Sequence, residues 1–140
     1  MSELKLGITR KEHFNAAHRL HNKNWSDEKN KKIFGKCNNP FFHGHNYELE
    51  VTIIGVVDPD TGYVIDTKIL SDIIKEKVIE PFDHKNLNLE VEYFKERNPT
   101  VENIAILIHD VIKKEIPKHL ELKIKLYETQ RNFVEYPFGV

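Results

Sequence analysis

The chain of 140 residues is 39% hydrophobic and 31% charged, a balance that fits a single globular domain over residues 1–140 able to close one core. Its 21 Lys and Arg against 22 Asp and Glu leave a formal net charge of −1, so no global field draws it to nucleic acid or to anionic lipid. The longest aliphatic stretch, Ile104 to Ile108, is far short of the roughly 20 residues that cross a bilayer, and the charges scattered over Met1 to Phe14 leave no secretory or transit segment. The expectation is a cytoplasmic protein with no membrane and no nucleic-acid partner. Cys37 is the single cysteine, which excludes an intrachain disulfide.

Leu4, Leu6 and Ile8 alternate with Glu3, Lys5 and Gly7, predicting a first strand with one buried face that runs loosely on through Phe14, Ala16 and His18. Asn22 to Lys32 is almost wholly polar and reads as a loop or short helical turn, with Trp25 as its anchor. From Tyr47 the apolar set Leu49, Val51 and Ile53 gives a second long strand. Pro59 to Gly62 then supplies a turn, and Tyr63, Val64 and Ile65 a return strand.

Asp66 sits where an N-cap belongs, ahead of Ile69, Leu70, Ile73, Ile74 and Val78 at helical spacing, which predicts a helix near 67–79 closed by Pro81. A second helix follows Pro99, with Thr100 as N-cap and Glu102 in the first turn, and stops before Pro117. Leu120, Leu122, Ile124 and Leu126 then alternate with polar residues, and Thr129 to Asn132 turn the chain into Phe133 to Tyr136, a C-terminal hairpin. Helices segregated from hairpins favour an α+β fold with an antiparallel sheet, two helices covering one face. The other face of so small a sheet meets water or a partner subunit.

His43-Gly44-His45 is the strongest local signal for chemistry. Residues two apart on an extended chain point to one side, so both imidazoles can approach one metal ion, with Gly44 leaving space between them. His18 is the natural third imidazole for a catalytic zinc site of three ligands and an open position. Surface histidines are the plainer reading of so short a motif. His13, His21, His109 and His119 show no comparable arrangement and read as surface or edge residues.

Cys37 lies in the glycine- and proline-flanked segment Gly35 to Pro40. Lone cysteines are commonly inert small hydrophobes, but Lys36 and a nearby divalent cation would favour its thiolate. Asp83 and His84 follow the first helix in a loop, where adjacent side chains tend to diverge, so the dipeptide alone does not establish an acid–base pair. Glu128 ends the last long strand's alternation, either as a solvated strand end or as an acceptor for paired N–H donors. Thr100 and Glu102 carry the same ambiguity between binding and helix capping.

Six blocks occur in an order that resembles the 6-pyruvoyltetrahydropterin synthases: Phe14 to Leu20, Gly35 to Pro40, His43 to Tyr47, Asp83 to Leu87, Pro99 to Asn103 and Tyr127 to Thr129. The resemblance spans nearly the whole chain. It implies a tunnelling fold, a four-stranded antiparallel sheet with two helices on one face, assembled into a trimeric barrel and a homohexamer of two trimers. It also implies that His18, His43 and His45 hold Zn2+, Cys37 accepts a proton, Asp83 and His84 form an assisting pair, Glu128 anchors a pterin ring, and Thr100 and Glu102 lie beside that ring. The implied substrate is 7,8-dihydroneopterin triphosphate, whose triphosphate needs positive charge that Arg19, Lys32, Lys36 or Lys85 could supply.

Four other readings compete. The 6-carboxytetrahydropterin synthases of deazaguanine and queuosine biosynthesis take the same substrate with the same zinc ligands and release acetaldehyde as well. Five residues separate Cys37 from His43, a spacing that resembles the pyruvoyl type more than the shorter one typical of many carboxy enzymes. Folate-linked relatives often carry glutamate where the cysteine stands, so Cys37 argues against that branch. A non-catalytic zinc-dependent scaffold and a generic zinc hydrolase complete the set.

Overall fold

The computed structural model describes residues 4–139; Glu3, which opens the predicted alternation, lies outside them. The elements in chain order are β1 (Lys5–His18), α1 (Asp27–Phe34), β2 (His43–Val56), α2 (Thr67–Ile74), α3 (Glu80–Phe82), β3 (Lys85–Asn86), α4 (Leu87–Glu90), α5 (Val101–Lys113), β4 (Glu121–Tyr127) and β5 (Phe133–Tyr136). They form an α+β fold on one sheet of order β3-β1-β2-β4-β5. The sheet has five strands rather than the predicted four, because β3, two residues long, adds a parallel pairing to Ala16 and Ala17 at the β1 edge. A two-residue strand has no periodicity to read.

β1 and β2 form a 14-residue antiparallel ribbon in register from Lys5↔Val56 to His18↔His43. One sheet face carries Phe14, Ala16, Tyr47, Leu49, Val51, Ile53, Leu122, Ile124 and Leu126, all buried, against Leu70, Ile74, Ile104, Ile108 and Ile112 of the helices. The opposite face is polar, with His13, Asn15, Asn46 and Glu48 exposed. Leu4 and Leu6 correct the first prediction: they are 83% and 47% exposed. The ribbon outruns the helical layer at that end, so the alternation is present without the cover.

Other boundaries move for identifiable reasons. Ser26 caps α1 through a hydrogen bond accepted from the Lys29 N–H, so half of the predicted loop is helical. The 67–79 helix exists as α2 plus a π-helical turn over Lys75–Ile79, and α3 carries the chain past Pro81 rather than stopping before it. The wider turn accommodates a residue that offers no N–H. Tyr63 to Ile65 form no strand: the loop closes on itself through Asp58 N–H to Tyr63 O and Gly62 N–H to Asp58 O. α5 begins as predicted, with the Thr100 hydroxyl accepting from the Asn103 N–H.

Candidate functional site

The β1–β2 register creates a three-histidine cradle at the covered end of the ribbon. His18 pairs with His43, and Ala16 pairs with His45, so alternation puts all three imidazoles on the helix-covered face and the small Ala16 side chain leaves room for His45. Gly44 points the other way, and a Cβ there would meet the Ala16 carbonyl oxygen at 3.4 Å. It therefore does not separate the imidazoles; strand alternation does.

One ligand-capable atom from each histidine lies within 4.8 Å of the others. His18 is buried, and its Nδ1 lies 2.7 Å from the Pro99 carbonyl oxygen. That acceptor requires Nδ1–H, which leaves the Nε2 lone pair aimed into the cradle, the second-sphere arrangement common to metal-binding histidines. His18 Nε2 and His43 Nε2 stand 3.0 Å apart, near the edge of about 3.3 Å that tetrahedral zinc–nitrogen geometry gives. His45 Nε2 is buried with no partner. Burial pushes the His18 and His45 imidazoles down from their ordinary range, and neighbouring imidazole charge adds to it, from His43 and His45 on His18 and from His43 on His45. Converging imidazoles, with His18 and His45 held toward the neutral form and an orphaned nitrogen on His45, fit a metal ion that takes nitrogen ligands.

Cys37 is half-buried in a 3-10 turn, Gly35–Asn38, and that turn is fastened to the segment following His18. Leu20 N–H donates to the Cys37 carbonyl at 2.8 Å, and Arg19 Nε donates to the Asn38 carbonyl at 2.9 Å. Asn38 is 5% exposed; its Nδ2 donates to Leu20 O at 2.7 Å and to His21 Nδ1 at 2.9 Å. Asn88 grips both backbone groups of Arg19 at 2.8 Å. Burial first, and then the Glu128 carboxylate, push the Cys37 thiol up from its ordinary value. Lys36, expected to favour the thiolate, is exposed and has no part in that shift.

Glu128 shares the cradle's environment: its charge acts on His18, Cys37 and Tyr47. It also lines a cavity of about 720 Å³ with His45, Asn46, Tyr127 and Thr129, within the size range of small-molecule sites. Tyr47, fully buried beside the cradle, has a phenol pushed up by burial and then by Glu128 and Cys37.

Asp83 and His84 stand apart, at the β3 edge. Asn15 N–H donates to Asp83 Oδ1 at 2.9 Å, and His84 N–H donates to the Asn15 carbonyl at 2.6 Å. His84 has φ of 61°, in the left-handed region, and this turns its ring back so that Nδ1 lies 3.0 Å from Asp83 Oδ2. The pair that an extended loop would have separated is formed by this strained residue. The Asn15 hydrogen bond, with His84 adding to it, holds the Asp83 carboxyl below its usual range. The His84 side chain is 83% exposed.

Thr100 serves as a cap and Glu102 is exposed on the first turn of α5. Arg19 lines a second cavity, of about 440 Å³, with Lys23, Lys95 and Arg97; Lys32, Lys36 and Lys85 are not among its walls. The residues missed by sequence reasoning are Asn38, His21, Asn88 and Pro99, whose contacts are all long-range. His109 is likewise not an ordinary surface residue: its side chain is 15% exposed, pairs with Asp110 and meets the Tyr136 ring edge-on.

A family model described as 6-pyruvoyl tetrahydropterin synthase matches residues 7–137. The chain is similar to the 6-pyruvoyl tetrahydrobiopterin synthase of Poecilia reticulata, with 47% identity covering 92% of this chain and 88% of that one. The solved structure of Caenorhabditis elegans 6-pyruvoyl tetrahydropterin synthase superposes with a TM-score of 0.90 at 40% identity, covering 97% of this chain and 98% of that one. A 6-carboxy-5,6,7,8-tetrahydropterin synthase of Rickettsia bellii is more distant, 36% identical over 71% of this chain and 84% of its own.

Proposed function

The chain belongs to the 6-pyruvoyl tetrahydropterin synthase family, and from that premise we propose that it converts 7,8-dihydroneopterin triphosphate to 6-pyruvoyltetrahydropterin with release of inorganic triphosphate. The observation that carries this reading is the convergence of three imidazoles, one thiol and one carboxylate at the same end of the sheet. A scaffold needs the imidazoles but has no use for the other two groups.

His18, His43 and His45 would hold zinc, which supplies Lewis acidity toward the substrate's side-chain oxygens and so acidifies the neighbouring C–H bonds. Cys37 then takes a proton from the side-chain carbon, and the triphosphate leaves with the electron pair of its C–O bond. Burial and Glu128 hold Cys37 as a thiol, so it becomes a base only when positive charge arrives beside it. His84 moves protons during the tautomerisation that follows, with Asp83 biasing its charge. Glu128 accepts the paired N–H groups of the pterin's guanidine-like edge, and Thr100 and Glu102 lie beside the ring.

The exposed His84 imidazole, paired with a half-buried Asp83 at the sheet edge, supports an assembly in which they serve a neighbouring subunit's cradle. A homohexamer built from two trimeric barrels meets that need, and its polar inner wall would be the uncovered face of the sheet. A cytoplasmic setting accords with the free thiol. Among the described residues no helix is long and apolar enough to cross a membrane.

Cys37→Ala tests the reading. Zinc content and assembly stay at the wild-type level while triphosphate release from 7,8-dihydroneopterin triphosphate falls by about 10²–10⁴, the range for a lost general base. A variant that keeps full turnover contradicts the assignment of Cys37 and favours a hydrolytic or scaffolding role. The 6-carboxy reaction remains the alternative, separated by its acetaldehyde.

A further inference from the structure

Tyr47 lies on β2 between Phe14 of β1 and the end of β4, where Glu128 follows Tyr127. Phe14 pairs with Tyr47, and the β2–β4 ladder ends at Glu48↔Tyr127, so Glu128 is the first residue past the ladder, next to the position of Tyr47. Tyr47 shares the helix-covered face with His43 and His45, and the Glu128 charge acts on Tyr47, His18 and Cys37 together.

Packing accounts for the Tyr47 ring. It is fully buried, stacks on Phe14 with centroids 4.9 Å apart and meets His45 edge-on at 5.7 Å, contacts that phenylalanine would make equally well. Packing does not account for the hydroxyl, which is buried without a hydrogen-bond partner. Buried phenols are ordinarily paired, and leaving one unpaired works against stability. The Glu128 N–H turns away to the Asn132 carbonyl, and among the described residues the Glu128 carboxylate accepts no hydrogen bond. A buried donor without an acceptor thus lies in the electrostatic reach of a carboxylate without a donor.

We propose that Tyr47 is a positioning residue for Glu128: when a pterin draws the Glu128 carboxylate inward, the Tyr47 O–H donates to one of its oxygens and fixes the plane in which Glu128 meets the pterin's paired N–H groups. This rests on the pterin-binding role proposed for Glu128. A carboxylate has about four lone-pair sites, so it accepts the phenol and two ring N–H groups together, and O–H···O⁻ bonds are among the stronger hydrogen bonds available. The phenol keeps its proton throughout.

A double-mutant cycle with metal-loaded protein tests this, using 7,8-dihydroneopterin as the binding probe and the triphosphate as substrate. Tyr47→Phe weakens 7,8-dihydroneopterin binding and raises KM by about tenfold, the effect of one lost hydrogen bond, with kcat and zinc content unchanged. Glu128→Gln weakens binding further, and the double variant binds no more weakly than Glu128→Gln alone, since the phenol acts only through the carboxylate. Wild-type affinity in Tyr47→Phe beside a weakened Glu128→Gln, losses that multiply in the double variant, or failure of Tyr47→Phe to fold each overturns the proposal. Wild-type affinity in Glu128→Gln instead overturns the pterin role of Glu128 itself and the Tyr47 proposal with it.

Discussion

Asn38→Ala separates the placement of Cys37 from the integrity of the metal cradle. The Asn38 side chain is buried, and its Nδ2 bridges Leu20 O at 2.7 Å and His21 Nδ1 at 2.9 Å. Each such bond contributes about 0.5–1.5 kcal/mol net, so removing both costs about 1–3 kcal/mol, a fall in melting temperature on the order of 5–10 °C for a domain of this size. The backbone contacts from Leu20 N–H and Arg19 Nε survive, so the turn persists but is held less firmly. Small misplacements of a reacting group cost up to about a hundredfold in rate; kcat should fall by about ten- to a hundredfold. None of the bonds removed involves His18, His43 or His45, so zinc stoichiometry stays the same. Thermal denaturation, metal analysis and steady-state kinetics read the three quantities separately. Full turnover in a destabilised variant would show that the clamp does not position Cys37, and loss of zinc would show that it supports the cradle instead.

Asn38→Asp should be worse than alanine, because it sets a carboxylate against the Leu20 carbonyl; activity equal to that of Asn38→Ala would count against the donor role. His45→Ala removes one of the three converging imidazoles and should abolish the stoichiometric zinc binding proposed for the cradle, together with the thermal stabilisation that added zinc is expected to give the wild type; an unchanged metal content refutes the cradle. The Asp83 carboxyl should titrate by NMR below the ordinary carboxylate value, and His84→Gln should raise it only partly, because the Asn15 N–H is the larger cause. A depressed folded-state value means that the stability contributed by Asp83 is complete above about pH 4, the unfolded value, and is lost as pH falls through the folded one. A midpoint at or above the ordinary value would refute the Asn15 contact.

Period-two alternation carries far more of this site than its length suggests. His43, His45, Tyr47 and Leu49 share one parity on β2, and once His18 pairs with His43 the cradle follows, so that part was legible from residues alone. Parity does not reveal where cover ends: Leu4 and Leu6 carry the right pattern beyond the helical layer. The Asp83–His84 contact depends on a left-handed φ at a non-glycine residue, which local pattern opposes. The Cys37 clamp is built by Asn38, His21 and Asn88, ordinary loop residues in sequence whose meaning lies in contacts 17 to 69 residues apart. β3, with two residues, and the Lys75–Ile79 turn that carries the chain past Pro81 have no signature in periodicity.

The identity of the product separates the pyruvoyl from the carboxy reaction. Mass spectrometry of the zinc-loaded protein after incubation with 7,8-dihydroneopterin triphosphate reads it directly. 6-Pyruvoyltetrahydropterin and inorganic triphosphate without acetaldehyde is the result predicted, whereas 6-carboxytetrahydropterin with acetaldehyde contradicts the account and assigns the chain to the carboxy reaction.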